Sequence, residues 1–189
     1  NNARISEDYT DKLIVPYTYA PVLVAKDDVI EMVPMKFSLV PSWSPEPKVK
    51  FATHNARLES LDQKKTWKNP LVRRHCVVPM TDFIEPIYEG DHAGNMVSFH
   101  TPENQGLLAA GLWDEWTNRK TGEVTASFAI ITHDPLPFVE EKGHDRSPLF
   151  LQQEDAETWL ANTGEDEQEL KRFLLEARDV PELEIENFR

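Results

Sequence analysis

The stretch "HCVVPMTDFIEPIYE", residues 75–89, is rich in β-branched and aromatic residues and reads as strand. Two carboxylates, Asp82 and Glu85, interrupt its apolar pattern. A carboxylate within such a strand is costly to bury unless it is paired. Glu85 is therefore either an edge-strand side chain facing water or a group whose pKa is perturbed. Working outward, "LIVPYTYAPVLVA" (13–25) and "EMVPMKFSLVPSW" (31–43) read as short extended pieces interrupted by prolines. Further strands are predicted at "NMVSFHT" (95–101), "GLLAAGLWDEW" (106–116) and "TASFAIITH" (125–133), with "NRKTGE" (118–123) as a hairpin turn.

Helical signals are fewer. A polar, helix-capable stretch follows His54–Leu61 and ends near Asn69-Pro70. Late in the chain, "QQEDAETWLANTG" (152–164) and "EDEQELKRFLLEARD" (165–179) have helical spacing, with Trp159, Leu160, Leu170, Phe173 and Leu174 on apolar faces. Many short strands, one or two early helices and two late helices predict an α+β fold with a curved or barrel-like sheet. At 189 residues the chain is expected to form a single domain spanning 1–189.

Composition narrows the function classes. No apolar run reaches the length of a membrane span, and the opening "NNARISEDYT" lacks the basic and apolar regions of a secretory signal. Cys76 is the only cysteine, which excludes an internal disulfide and a thiolate zinc cluster; a reducing, cytoplasmic location is expected. The formal net charge of −13 disfavours a broad electropositive surface. It leaves room for a local basic groove, because distant acids are screened beyond about 8 Å at physiological salt.

Common catalytic motifs are absent: there is no Walker phosphate loop, no G-x-G-x-x-G, no H-E-x-x-H and no G-x-S-x-G. His133-Asp134 and His144-Asp145 offer ligand types from two loops, but adjacency is weak evidence, and neither a metal nor a cofactor is expected. A triad of Ser147, His144 and Asp82 can be written down, without an elbow motif to support it. Three polar clusters lie against apolar sequence: His54-Asn55-Ala56-Arg57 with Glu59, Asp82 with Glu85, and His144-Asp145-Arg146. Read dully, Asn55 is a helix N-cap and His144 a satisfied turn histidine.

Taken in order, these clusters resemble the SOS-response-associated peptidase (SRAP) family. "YTYAPVLV" (17–24) resembles the family's N-x-A-P segment, "LVPSW" (39–43) its G-L-x-P-x-W, and "NARLESL" (55–61) its N-A-R-x-E-T. "RRHCVVPMTDFIEP" (73–86) is similar to R-R-C-L-x-P-x-D-G-[FY]-x-E-W, "AAGLWDEW" (109–116) to A-G-L-W-E, "FAIITHDP" (128–135) to F-x-I-[IL]-T, and "HDRSPLFL" (144–151) to H-D-R-M-P-x-[IV]-L. The resemblance covers most of the chain and implies a bifurcated mixed or antiparallel sheet with a small barrel, flanked by helices.

The family shields abasic sites in single-stranded DNA by covalent cross-linking, which implies single-stranded DNA with abasic sites as partner and a monomeric, DNA-associated protein. Carried onto this sequence, the resemblance implies Asn55, Glu85 and His144 as the catalytic pocket. It implies Arg57 and Arg146 as phosphate ligands, Trp43 and Pro21 as stacking surfaces, and Thr132 as a further backbone contact. Trp43 and Pro21 also fit ordinary packing.

Departures bear on this reading. Family members begin Met-Cys-Gly-Arg, and the exposed cysteine is the nucleophile; this sequence begins Asn1-Asn2-Ala3-Arg4. Either "NNAR" overlies that start and the nucleophile is missing, or "RISEDYTDKL" matches a later segment and the cysteine lies upstream; the second is preferred because "EDY" then falls at the usual distance from the first strand. "ELEIENFR" is similarly read as stopping before the family's last strand. Phe37-Ser38 stand where Trp-Gly is usual, Ile84 and Pro86 flank Glu85 where aromatics are common, and Ser147 replaces Met or Arg. Cys76, inside an apolar strand and without a free amine, is a core residue rather than a substitute nucleophile. The expected function is covalent capture of abasic sites through an N-terminal cysteine that this sequence does not contain. The alternatives are a non-catalytic DNA-binding module and a small peptidase or hydrolase using the same pocket.

Overall fold

The structure, a computed structural model, describes residues 12–27 and 29–188. The overlay of "NNAR" on the family's start, and most of "RISEDYTDKL", fall outside these residues. In chain order the strands and helices are β1 (Tyr19–Lys26), β2 (Val29–Phe37), β3 (Asn55–Arg57), α1 (Lys65–Arg73), β4 (His75–Met80), β5 (Asp82–Pro86), β6 (Met96–His100), β7 (Leu107–Thr117) and β8 (Val124–His133). There follow α2 (Pro137–Glu141), β9 (Ser147–Pro148), β10 (Phe150–Leu151), α3 (Gln153–Ala161), α4 (Glu167–Glu176), β11 (Arg178–Asp179) and β12 (Glu184–Asn187).

Five strands close on themselves. β1 pairs β2, β2 pairs β8, β8 pairs β7, β7 pairs β4 and β4 returns to β1, making a small barrel. Two seams are short: β1 meets β4 only at Leu23↔Val77, and β2 meets β8 in parallel only at Lys36↔Ser127 and Phe37↔Phe128. β3 lies parallel to the far end of β8, and β9 lies antiparallel to the same end. β10 extends β7, and β11 extends β10. A second, three-stranded sheet has the order β12-β6-β5. This is the α+β, barrel-containing single domain with flanking helices that the sequence predicts.

The central strands are buried on both faces, which explains their nearly unbroken apolar runs. On β4, Cys76 and Val78 point into the barrel with Val22, Phe128 and Phe150, while Val77 points out to a second core under the helices. That outer core joins Trp67 and Leu71 of α1, Trp159 of α3 and Leu170 and Leu174 of α4 to Ala110, Leu112, Ala129 and Ile131 of the barrel wall. Trp159 is fully buried and donates its indole N–H to Cys76 O and Gly111 O at 3.2 and 3.3 Å. Asp166 caps α4 by accepting from Gln168 N at 2.9 Å.

Several local expectations are corrected. "HCVVPMTDFIEPIYE" is two strands, broken at Thr81, and the break lets the chain leave the barrel for the second sheet. Pro21 does not interrupt its strand: it sits opposite Pro34 in the β1–β2 ladder, where two residues without N–H groups need no cross-strand bond. α1 runs through Pro70 to Arg73, with Pro70 buried and its carbonyl accepting from Arg74 N. Asn55 opens a strand, not a helix; a short 3-10 turn, Leu58–Ser60, follows it. Apart from these corrections, "ELEIENFR" contributes β12, which pairs β6 over Glu184↔His100 to Asn187↔Val97 and leaves untouched the expectation about a further family strand.

Candidate functional site

β5 carries Glu85 along the wall of a cleft of about 1470 Å³ that Asn55, His54, Pro21, Asp82 and Phe128 also line. Asn55 reaches it because β3 pairs parallel with β8, setting Asn55 beside Ile130. Thus two of the three residues expected to be catalytic share one cleft, although they are far apart in sequence. The third lies directly behind Glu85. His144 follows α2, and its Nε2 is 3.4 Å from Glu85 Oε2. Its other nitrogen, Nδ1, donates to Pro86 O at 2.8 Å, which leaves Nε2 as the atom facing the carboxyl.

Burial governs the electrostatics of this pair. The Glu85 side chain is 23% exposed and that of His144 4% exposed. Desolvation raises the Glu85 carboxyl above the ordinary carboxylate range; positive charge on His144 opposes the rise and Asp145 adds to it. A protonated Glu85 can donate to Nε2, and an ionised Glu85 can accept from the imidazolium. A carboxyl and an imidazole this close at the edge of a cleft can serve general acid–base chemistry. His54, whose ring meets Phe37 edge-on at 6.0 Å, also faces the cleft, and burial lowers its pKa.

The cations expected to hold phosphate differ in their state. Arg57 is exposed on β3, and among the described residues its guanidinium has no ion-pair partner. Arg146 is engaged: it grips both oxygens of Glu59 at 3.0 and 3.1 Å and donates to Thr132 O at 2.9 Å. Thr132 is buried beneath it. His133 Nδ1 reaches Glu59 Oε1 at 2.9 Å. Burial would raise Glu59, but the hydrogen bonds from Arg146 and His133 outweigh it and hold the carboxyl at about 2. Glu59, His133 and Asp134 bring three donor atoms within 4.8 Å of one another. Because Arg146 already occupies both Glu59 oxygens, this group reads as an ion-pair network.

Trp43 is 38% exposed, and Lys65 Nζ lies over its ring at 4.7 Å from the centroid. Pro21 is half-buried on the cleft wall. The Ser147, His144, Asp82 triad does not form: Ser147 Oγ is buried and accepts from Leu136 N at 2.9 Å, while Asp82 accepts from Thr81 and Ser98. Cys76 is fully buried in the barrel, and desolvation pushes its thiol far up, so it is no nucleophile. Sequence reasoning gave no role to Tyr88, whose ring stacks on His144 at 5.2 Å, because only tertiary contact brings them together.

The family described as SOS response associated peptidase (SRAP) matches residues 3–188. The chain belongs to the SRAP family. Among its curated relatives, the SRAP-family chain is 28% identical over 150 residues to the abasic site processing protein YoqW of Bacillus subtilis (strain 168), covering 79% of this chain and 66% of that protein. It is 29% identical over 183 residues to the abasic site processing protein HMCES of Pongo abelii, covering 77% of this chain and 51% of that protein. The chain thus spans just under two thirds of the first and about half of the second. The fold recurs in crystal structures of a Bordetella bronchiseptica protein (TM-score 0.78, 21% identity, 93% and 86% of the two chains) and a Bacteroides thetaiotaomicron protein (TM-score 0.72, 24% identity, 92% and 75%). With these structures the chain shares its fold.

Proposed function

We propose that this protein processes abasic sites in DNA, and that it does so by capturing the open-chain sugar aldehyde in single-stranded DNA as a covalent cross-link. The observation that carries the reading is the meeting of Asn55 and Glu85 in one cleft, with His144 Nε2 3.4 Å behind the Glu85 carboxyl. Family membership and relatives named for abasic site processing supply the substrate class.

The nucleophile in this reading is a cysteine at the mature amino terminus; the 189-residue sequence holds only Cys76, which is buried. Such a residue offers an α-amine and a thiol. The amine adds to the aldehyde carbon to give a carbinolamine, and loss of water gives an imine. The thiol then adds to the same carbon and closes a thiazolidine ring. Departure of water needs an acid, and Glu85 suits that step because burial favours its protonated form. His144 serves as the reservoir behind it: Nε2 takes or returns the proton while Nδ1 stays bonded to Pro86 O. Asn55, which lines the same cleft, orients the amine. Arg57, exposed on β3, supplies a phosphate contact, and Trp43 a surface on which a base stacks.

The test uses protein expressed from its native start codon, mixed with single-stranded DNA carrying one abasic site and resolved on a denaturing gel. The expected result is a heat-resistant shifted band that is absent with intact DNA. Its rate of appearance should fall about a hundredfold in Glu85→Gln. Binding without such a band would replace this reading with non-covalent DNA recognition.

A further inference from the structure

The turn that follows Glu85 holds His144 from several sides. Pro86 O accepts from His144 Nδ1 at 2.8 Å. Tyr88 N donates to Gly143 O at 3.0 Å, so the backbone of the same turn is tied to the residue before His144. The Tyr88 ring covers one face of the imidazole, with centroids 5.2 Å apart and planes inclined by 26°. The next residue closes the space completely: a β-carbon on Gly143 would lie 2.2 Å from Glu89 O, and Gly143 has a φ of +94°, a conformation that favours glycine. From the other side, His144 N donates to Val139 O at 3.2 Å, anchoring the residue to α2.

Each contact removes one freedom of the imidazole. The Pro86 bond fixes the Nδ1–H tautomer, the Tyr88 ring restricts rotation of the histidine ring, and the Gly143 contact sets how far the backbone stands from β5. What remains free is Nε2, and it faces Glu85 Oε2 at 3.4 Å. A dull account treats Tyr88, 60% exposed, as a surface residue touching a neighbour by chance. That account leaves unexplained why its own backbone bonds to Gly143, and why Gly143 has no room for any side chain.

We infer that Tyr88 and Gly143 are positioning residues that aim the His144 imidazole at Glu85, forming a clasp between the turn after β5 and the loop after α2. Its catalytic meaning rests on the reading of Glu85 and His144 as the proton-handling pair, while its geometry is measurable without DNA. Tyr88 acts through its aromatic face, so Phe can replace it and Ala cannot.

The experiment labels histidine with 15N in the full chain and records long-range proton–nitrogen spectra of wild type, Tyr88→Ala, Tyr88→Phe and Gly143→Ala. Wild type is expected to show one protonated and one unprotonated His144 nitrogen. In Tyr88→Ala the two signals move toward a common average, and Tyr88→Phe restores them. Gly143→Ala is the harsher variant; Tyr88→Ala, at an exposed position, retains the fold and keeps the test decisive. In parallel, the cross-linking rate of protein made from its native start falls about tenfold in Tyr88→Ala and recovers in Tyr88→Phe. Unchanged His144 signals in Tyr88→Ala would overturn the clasp. Altered signals with an unchanged cross-linking rate would overturn its positioning role. Absence of cross-linking even in wild type would strike the proposed function alone, since the spectra report on the clasp independently.

Discussion

Burial shifts the Glu85 carboxyl upward, toward its protonated form. Its folded pKa lies above the ordinary value of 4.5, so between the two values the folded chain holds a proton that the unfolded chain has released. Its contribution to stability is therefore complete below the unfolded value and declines as pH rises through the folded one. Glu85→Gln, which keeps a donor toward His144 but cannot ionise, should remove that decline. Urea denaturation of both proteins between about pH 4 and pH 9 checks the sign: the variant gains on wild type as pH rises. Gly111 makes a second residue-scale prediction. A β-carbon there would lie 2.8 Å from Cys76 Sγ and 2.9 Å from Ala129 O, so Gly111→Ala should cost about 2 kcal/mol by the same denaturation assay. Glu85 was legible in the sequence because a carboxylate inside an apolar strand demands a reason. The partner His144 was legible only through its motif. Tyr88 and Gly143 were not legible, since a turn that closes on a distant loop leaves no periodic trace.

Between elements, one ion-pair network ties the turn after β3 to β8 and to the loop before β9. Arg146 joins Glu59 to Thr132 O, and His133 adds a bond to the same carboxylate. The Glu59 carboxyl is held at about 2, below its ordinary value, so the network's contribution is present above about pH 4.5 and lost as pH falls toward 2. Solvent screens the pair, because the Glu59 side chain is 45% exposed; its worth at neutral pH is about 1 kcal/mol. Glu59→Gln should therefore lower stability by that amount at pH 7 and by almost nothing near pH 2, measured by circular dichroism during denaturation. At this scale the sequence was read well where burial on both faces made long apolar runs, as in β7 and β8. It was read poorly where the chain changed sheets at Thr81, and where prolines looked like breaks. Pro21 and Pro34 face each other at ladder positions that need no N–H, a register that no single strand reveals.

Across the whole molecule, charge is unevenly distributed. Residues 36–74 hold nine of the 20 Lys and Arg but three of the 33 Asp and Glu, in a chain whose net charge is −13. This segment includes Arg57, exposed on β3, and the Lys65–Trp43 pair, so the acidic protein concentrates cations in one part of its sequence. For single-stranded DNA, Arg57→Met should weaken binding similarly on all sequences and reduce the salt dependence by about 0.7 in the logarithmic slope, read by fluorescence anisotropy across several salt concentrations. The expectation of a curved or barrel-like sheet came from the order of short strands and late helices, and that of flanking helices from the family resemblance. Closure of the barrel did not, because the β2–β8 seam is made by two residue pairs contributed from distant parts of the chain. That late seam has a consequence for synthesis. Domains are made from the amino terminus onward, and β1, β2 and β4 leave the ribosome well before β8, without which the ring stays open. His144 emerges later still, beyond the strand that closes the wall. A nascent chain stalled between β5 and His144 carries Glu85 with no partner and no finished cleft. The Glu85–His144 pair is thereby reserved for chains whose synthesis has passed His144.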